Sequence, residues 1–129
     1  MANAYDSEIR DLVKASAAEK DIKLHEGVFI AYPGPNFETA AEIRMMGRLG
    51  ADVVGMLVVP EVISARHCGL KVTGVSVITN LAEGLSPFAL SHEQTLKYAA
   101  VAAKDLVTLI HSFTERLGSI PGVKNSATA

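Results

Sequence analysis

The sequence has a single cysteine, Cys68, in 129 residues, so no disulfide can form within the chain and a packed core must hold the fold. No apolar stretch is long enough to cross a bilayer, and Met1 to Lys20 is charged where a secretory signal would be apolar. These absences exclude a membrane role and, with the unpaired cysteine, point to the cytoplasm. There is no excess of positive charge either: 12 basic against 14 acidic residues leave a net charge of −2. A nucleic-acid polymer, whose phosphates demand a basic surface, is therefore excluded as the main ligand, while a small nucleoside is not. Neither G-x-G-x-x-G nor G-x-x-x-x-G-K-[ST] occurs, which removes the usual dinucleotide and P-loop cradles. Metal spacing is lacking as well. His92-Glu93 begins a zinc-protease motif, but Leu96 stands where the second histidine is needed, and His67-Cys68 has no partners at ligand spacing. No internal repeat or low-complexity tract is present.

What remains is an ordinary globular composition, 49% hydrophobic and 20% charged, enough for one domain with its own core. Ile9, Leu12, Val13 and Ala17 recur near helical spacing, predicting a helix over Ser7–Ala18 capped by Asp6 or Ser7. His25–Tyr32 reads as a strand, and Pro33-Gly34-Pro35-Asn36 must be a loop. Thr39 and Glu42 have capping-box spacing and open a second helix that ends near Gly50. Asp52–Met56 reads as a short buried strand. Pro60 suits the first turn of a helix running to about His67, with Gly69 as its stop and Cys68 as a small core residue. Lys71–Thr79, dense in valine, predicts a third strand, followed by a loop to Leu90. Ser91 and Gln94 then open a long helix whose apolar stripe is Leu96, Ala99, Ala103, Leu106, Ile110, Phe113 and Leu117. This order predicts an α/β fold with a mainly parallel central sheet and flanking helices. Ligands of such sheets sit at the carboxyl ends of strands, where Tyr32 to Glu38, Met56 and Thr79-Asn80 fall.

The residues at these ends carry a resemblance. Tyr32-Pro33-Gly34-Pro35-Asn36-Phe37-Glu38-Thr39, Gly50-Ala51-Asp52-Val53-Val54-Gly55-Met56, Val59-Pro60-Glu61-Val62-Ile63-Ser64-Ala65-Arg66-His67-Cys68 and Val77-Ile78-Thr79-Asn80 occur in the order and approximate spacing of one family. Together they resemble the trimeric class of purine nucleoside phosphorylases, and the wording from Tyr32 to Met46 is most similar to the bacterial inosine–xanthosine branch. The resemblance implies a phosphorylase/hydrolase-like α/β fold. It also implies reversible phosphorolysis of 6-oxopurine nucleosides (inosine, guanosine, xanthosine) to a purine base and ribose 1-phosphate. Phosphate would be a co-substrate, with no metal or organic cofactor. Homo-oligomers, trimers or dimers of trimers, would be expected of the full-length form.

Residue roles follow from the same match. Asn80 would donate to the N7/O6 edge of the departing purine, where negative charge builds, and Glu38 would accept from N1–H; these are the candidate catalytic pair. Substitution of aspartate for Asn80 would favour a 6-aminopurine. Phe29, Phe37, Met56, Thr79 and His92 are the candidate substrate-binding residues, with Phe37 and Met56 lining base and ribose and His92 orienting the ribose 5′-hydroxyl. Phe29 stands where the family often has a tyrosine near the sugar. By residue type alone each has a plainer reading: Asn80 closes a turn, Glu38 favours a helix N-terminus, Met56 fills a core, and His92 is solvated.

Two departures matter. Leu57 occupies the place of the family's phosphate-binding serine and has no donor to offer. The family's glycine/serine phosphate loop and its arginine–histidine phosphate contacts have no counterpart here; Arg44, Arg48 and Arg66 fall in predicted helices. Ala4-Tyr5-Asp6 matches an internal family segment. The expectation is that residues 1–118 are the C-terminal half of a phosphorylase domain truncated at its N-terminus, with Met1 an internal or displaced start and 119–129 a flexible tail. The competing reading is a non-catalytic fragment that binds purine or associates with a related subunit; a phosphate-independent nucleosidase lacks a group placed to activate water.

Overall fold

The structure, a computed structural model, describes residues 3–87 and 91–120, apart from the side chain of Gln94. Its elements run α1 (Ser7–Glu19), β1 (Phe29–Ala31), α2 (Ala40–Arg48), β2 (Val53–Gly55), α3 (Val59–His67) and α4 (His92–Gly118).

Caps account for most of the helix boundaries. The Asp6 carboxylate accepts from the Ile9 amide at 3.0 Å and starts α1. Thr39 and Glu42 form the reciprocal capping box at the start of α2. Gly50, at φ 90°, lets the Ala51 amide turn back to the Met46 carbonyl and close α2. Gly69, at φ 77°, does the same for α3 through the Leu70 amide and Ala65 carbonyl. Pro60 lies in the first turn of α3 as its spacing predicts.

β1 and β2 are parallel and joined by α2, with Phe29 opposite Val53, Ile30 opposite Val54 and Ala31 opposite Gly55. Both are shorter than the sequence reading, and among the described residues they form the whole sheet. Lys71–Thr79 is not a strand. Val72 accepts from the Asp6 amide at 2.7 Å, but from Thr73 to Thr79 no backbone group pairs with another among the described residues. A valine-rich run supplies a side chain pattern but not a neighbour, and a strand exists only by pairing. A trough of about 770 Å³ lies between this run, the stretch from Ile22 to Phe29, and helices α1 and α4.

The core sits where α1 meets α4: Val13, Ala17 and Leu109 are buried, with Ile22, Leu24 and Phe113 packed on them. Ser16 on α1 and Ser112 on α4 are also buried. Glu19 and Arg116 form an ion pair across the seam. The buried row of α4 differs from the predicted stripe. Leu109 is 3% exposed, whereas Leu96 and Ile110 are more than half exposed and Ala103 is exposed. Helix α1 is the neighbour that α4 contacts, and it covers a strip centred one position away from Ile110. Cys68 is also exposed rather than in the core, and of the Met45-Met46 pair only Met46 is buried. No helix among the described residues is long and apolar enough to cross a membrane. The Ser91–Gln94 cap, the last three residues of the loop before α4, and positions 121–129 of the tail lie outside what is described.

Candidate functional site

The parallel register of β1 and β2 makes their chains leave the sheet side by side. Ala31 and Gly55 are partners, and the Tyr32 amide donates to the Gly55 carbonyl at 2.9 Å as the last rung. The Pro33–Glu38 loop therefore starts beside Met56. The two touch: a Cβ added to Gly34 would meet the Met56 sulfur at 2.6 Å, and the φ of 68° favours glycine there whatever the Met56 side chain does. Phe29 lays its ring across Gly55 in the same way, with its Cζ 2.9 Å from where a Cβ would stand. The loop after Asn80 folds back onto the start of α2, where Gly84 lies against the Ala40 methyl. These contacts gather the Phe29, Phe37, Glu38 and Met56 segments and bring the loop that follows Thr79-Asn80 to the same end of the sheet.

Phe37 is 50% exposed, while Glu38, next to it, is 8% exposed. The aromatic residue thus faces outward from a loop whose carboxylate is turned in. Asn36 braces the loop by donating from Nδ2 to the Phe37 carbonyl at 2.7 Å. The loop's two ends are fixed by Glu42. The Tyr32 hydroxyl donates to Glu42 Oε1 at 2.8 Å, and the Thr39 amide and hydroxyl both donate to Oε2 at 2.7 Å. The Thr39 amide, then its hydroxyl and the Tyr32 hydroxyl, hold the Glu42 carboxyl below the usual glutamate value. The Glu42 hydrogen bond, with burial and the nearby negative charge, pushes the Tyr32 phenol above its usual value. The capping-box spacing announced the Thr39–Glu42 contact; the Tyr32–Glu42 contact, ten residues apart across a loop, left no periodic signal in the sequence.

The Asn80 amide has a defined polarity. Its Oδ1 accepts from the Thr79 hydroxyl at 2.7 Å and from the Thr95 hydroxyl of α4 at 3.4 Å, while Nδ2 donates to the Leu81 carbonyl at 3.0 Å. The Thr95 hydroxyl, with one proton, also has the Ser91 carbonyl at 3.2 Å, so the steady donor to the oxygen is Thr79. The Nδ2–Leu81 bond marks the other end as the donor end, and an amide nitrogen has two hydrogens, of which Leu81 uses one. Thr79 accordingly serves Asn80 rather than projecting its hydroxyl free. Thr95 was not singled out by sequence reasoning. His92 is exposed at the first residue of α4.

Leu57 is 66% exposed. Val58, which follows it, has φ 84°, a conformation that a β-branched residue adopts only under strain, and it leads directly into α3. Arg44 and Arg48 lie on α2, and Arg66 on α3 donates to the Leu70 carbonyl, so none of the three lies in a loop. No group of three or more histidine, cysteine or acidic residues among those described could hold a metal ion. The trough takes in Phe29 alone of the candidate residues, and another hollow of about 500 Å³ is lined by Asn3–Ser7, Arg10 and Arg66. Of the candidate residues, the Phe37–Glu38 loop and Met56 meet where β1 and β2 end, Phe29 lies at the start of β1, Asn80 is tied to Thr79 and Leu81, and His92 stands at the start of α4.

Known proteins are similar to this chain in sequence and fold. A family model described as the phosphorylase superfamily matches residues 1–115. A purine nucleoside phosphorylase from a Cellulomonas species is 44% identical over 116 residues, spanning 90% of this chain and 40% of that protein. Purine nucleoside phosphorylase 1 of Geobacillus stearothermophilus is 38% identical over 117 residues, spanning 91% of this chain and 43% of that protein. The crystal structure of a schistosoma purine nucleoside phosphorylase in complex with hypoxanthine superposes with a TM-score of 0.85 at 38% identity, covering 89% of this chain and 42% of that one. The chain spans about two fifths of the length of the curated relatives it matches. The α/β arrangement of helices around a small parallel sheet is accordingly a part of their fold, and the chain belongs to the phosphorylase superfamily, where the proteins it resembles are purine nucleoside phosphorylases.

Proposed function

We propose that this chain carries the base-recognising part of a purine nucleoside phosphorylase, a pentosyltransferase that cleaves 6-oxopurine nucleosides reversibly with phosphate to give a purine base and ribose 1-phosphate. The observation that carries the reading is the shared exit of β1 and β2, which places the Glu38 loop against Met56 while the loop after Asn80 returns onto α2. In the reaction the glycosidic C–N bond breaks, positive charge grows on the sugar and negative charge on the purine. Asn80, with its oxygen held by Thr79, presents an N–H donor to the N7/O6 edge as that charge grows. Glu38 accepts from N1–H. A 6-oxopurine has a donor at N1 and an acceptor at O6, so it satisfies both. Hypoxanthine, the ligand named for the schistosoma neighbour, is such a base. Inosine, guanosine and xanthosine all offer this edge. Phe29, Phe37 and Met56 supply apolar contact to base and sugar, and His92 meets the ribose 5′-hydroxyl.

Phosphate is the co-substrate and no further cofactor enters. The site is completed by the part of the family fold that this chain does not span, in a cytoplasmic trimer or dimer of trimers. A second reading is favoured by one observation: Leu57, which replaces the family serine, gives a phosphate oxygen no donor. On that reading the chain is a non-catalytic fragment that holds a purine or joins a related subunit. Ultraviolet-monitored cleavage of inosine, with and without phosphate, separates the two. Phosphate-dependent cleavage by this chain, or by the chain supplied with the remaining family segment, establishes the first. No cleavage in either case, together with hypoxanthine binding by calorimetry, establishes the second.

A further inference from the structure

The loop of Pro33 to Glu38 begins and ends on one carboxylate. Before it, the Tyr32 hydroxyl reaches Glu42 Oε1 at 2.8 Å; after it, Thr39 reaches Oε2 through both its amide and its hydroxyl at 2.7 Å. A capping box requires only the second set. The bond to Tyr32 uses the oxygen that the cap leaves over, and it joins the helix start to the sheet, since the Tyr32 amide is itself bonded to the Gly55 carbonyl of β2. Between these two anchors Asn36 donates to the Phe37 carbonyl and its side chain also hydrogen-bonds the Tyr32 hydroxyl, and Glu38 is buried.

We propose that Glu42 is a positioning residue: its two carboxylate oxygens fasten the two ends of the 33–38 loop to each other and so hold Phe37 and Glu38 in one conformation. The service this renders, presenting Glu38 and Phe37 to a purine, rests on the function proposed above. The chemistry requires an ionised carboxylate of glutamate length. Glutamine keeps one acceptor oxygen for Thr39 and turns an N–H donor toward the Tyr32 hydroxyl, so it replaces the charge-assisted bonds with weaker neutral ones. Aspartate is one methylene shorter and cannot span from Thr39 to Tyr32. Alanine releases both ends. Tyr32→Phe removes a single hydroxyl and leaves the capping box whole, so it separates a loop clamp from a helix cap.

The test is backbone ¹⁵N relaxation on the folded chain and on its Tyr32→Phe, Glu42→Gln and Glu42→Ala forms. In the unaltered chain, Phe37 and Glu38 should show the order parameters of rigid backbone, about 0.85, and in Tyr32→Phe they should fall below about 0.6 while α2 is unchanged. The double variant Tyr32→Phe/Glu42→Gln should be no looser at these positions than Glu42→Ala, because all the variants cut or weaken the same tie. Rigid Phe37 and Glu38 in Tyr32→Phe would overturn the proposal and leave Glu42 as a helix cap only. Calorimetry with hypoxanthine on the same samples addresses the function separately. Roughly tenfold weaker binding by Tyr32→Phe is expected, the equivalent of one hydrogen bond's net worth. If the unaltered chain binds no hypoxanthine even when supplied with the remaining family segment, the purine reading fails, and the relaxation data still decide whether the clamp exists.

Discussion

Asn80 has an acceptor end held by the Thr79 hydroxyl and a donor end directed to the Leu81 carbonyl. Asn80→Asp replaces that donor with a second acceptor. On the proposed reading, hypoxanthine binding should then fall at least tenfold, while adenine, which offers an amino group at position 6, should gain relative to it; calorimetry with the two bases reads the ratio. A drop that is equal for both bases would mean that Asn80 only shapes the turn. The pair Tyr32 and Glu42 gives a prediction in pH. Glu42 is held below the ordinary glutamate value of 4.5, so its contribution is complete above that value and is lost as pH falls through the lowered one. Tyr32 is raised above 10.0, so its contribution is complete below that value and is lost as pH rises through the raised one. The gap in melting temperature between the unaltered chain and Glu42→Gln should therefore be constant from about pH 6 to 9 and should close below about pH 4, as thermal unfolding across that range would show. Residues were legible unevenly. Glu38 and Asn80 stood out because whole segments around them resemble a family, whereas Tyr32–Glu42 and Thr95–Asn80 are contacts across a loop and a chain reversal, which no spacing encodes.

Among the elements, the helices were readable to within a residue or so wherever a cap is written in the chain: Asp6 for α1, Thr39 with Glu42 for α2, Pro60 and Gly69 for α3. Strands were not, because their existence depends on partners. Phe29–Ala31 and Val53–Gly55 pair and are strands; Thr73–Thr79 has as good a composition and no ladder. The facing of α4 was read in part, Ala99, Leu106, Phe113 and Leu117 being partly buried and Leu96, Ala103 and Ile110 exposed. A row of apolar residues one step apart, Leu109 and Ile110, gives two equally good stripes, and the position of α1 selects Leu109. Leu109→Ala should consequently destabilise the chain by about 2–5 kcal/mol, measured by denaturant unfolding, while Ile110→Ala should cost far less. Equal costs at the two positions would mean that α1 and α4 are packed on a different face.

At the scale of the whole molecule, the trough between the Ile22–Phe29 stretch and the Thr73–Ile78 run exposes apolar side chains, and large apolar residues such as Leu49, Val101 and Val107 face outward. The isolated chain should bind a hydrophobic dye strongly, and a polypeptide supplying the remaining segment of the family fold should reduce that fluorescence as it occupies the trough; an unchanged signal would mean that it docks elsewhere. The α/β class was legible from the alternation of helix and strand patterns, but the two-stranded extent of the sheet was not, since a sequence states which residues can pair and not whether a neighbour is present. The seam between α1 and α4 has a further consequence, in time rather than in space. Glu19 and Arg116, which pair across it, are 97 residues apart, and Val13 and Ala17 wait for Leu109 in the same way. At ribosomal rates of about 5–20 residues per second, the first helix emerges roughly 5–20 s before the last one that buries it. During that interval β1 can already pair with β2 around α2, while Val13 and Ala17 still lack the Leu109 side chain that covers them.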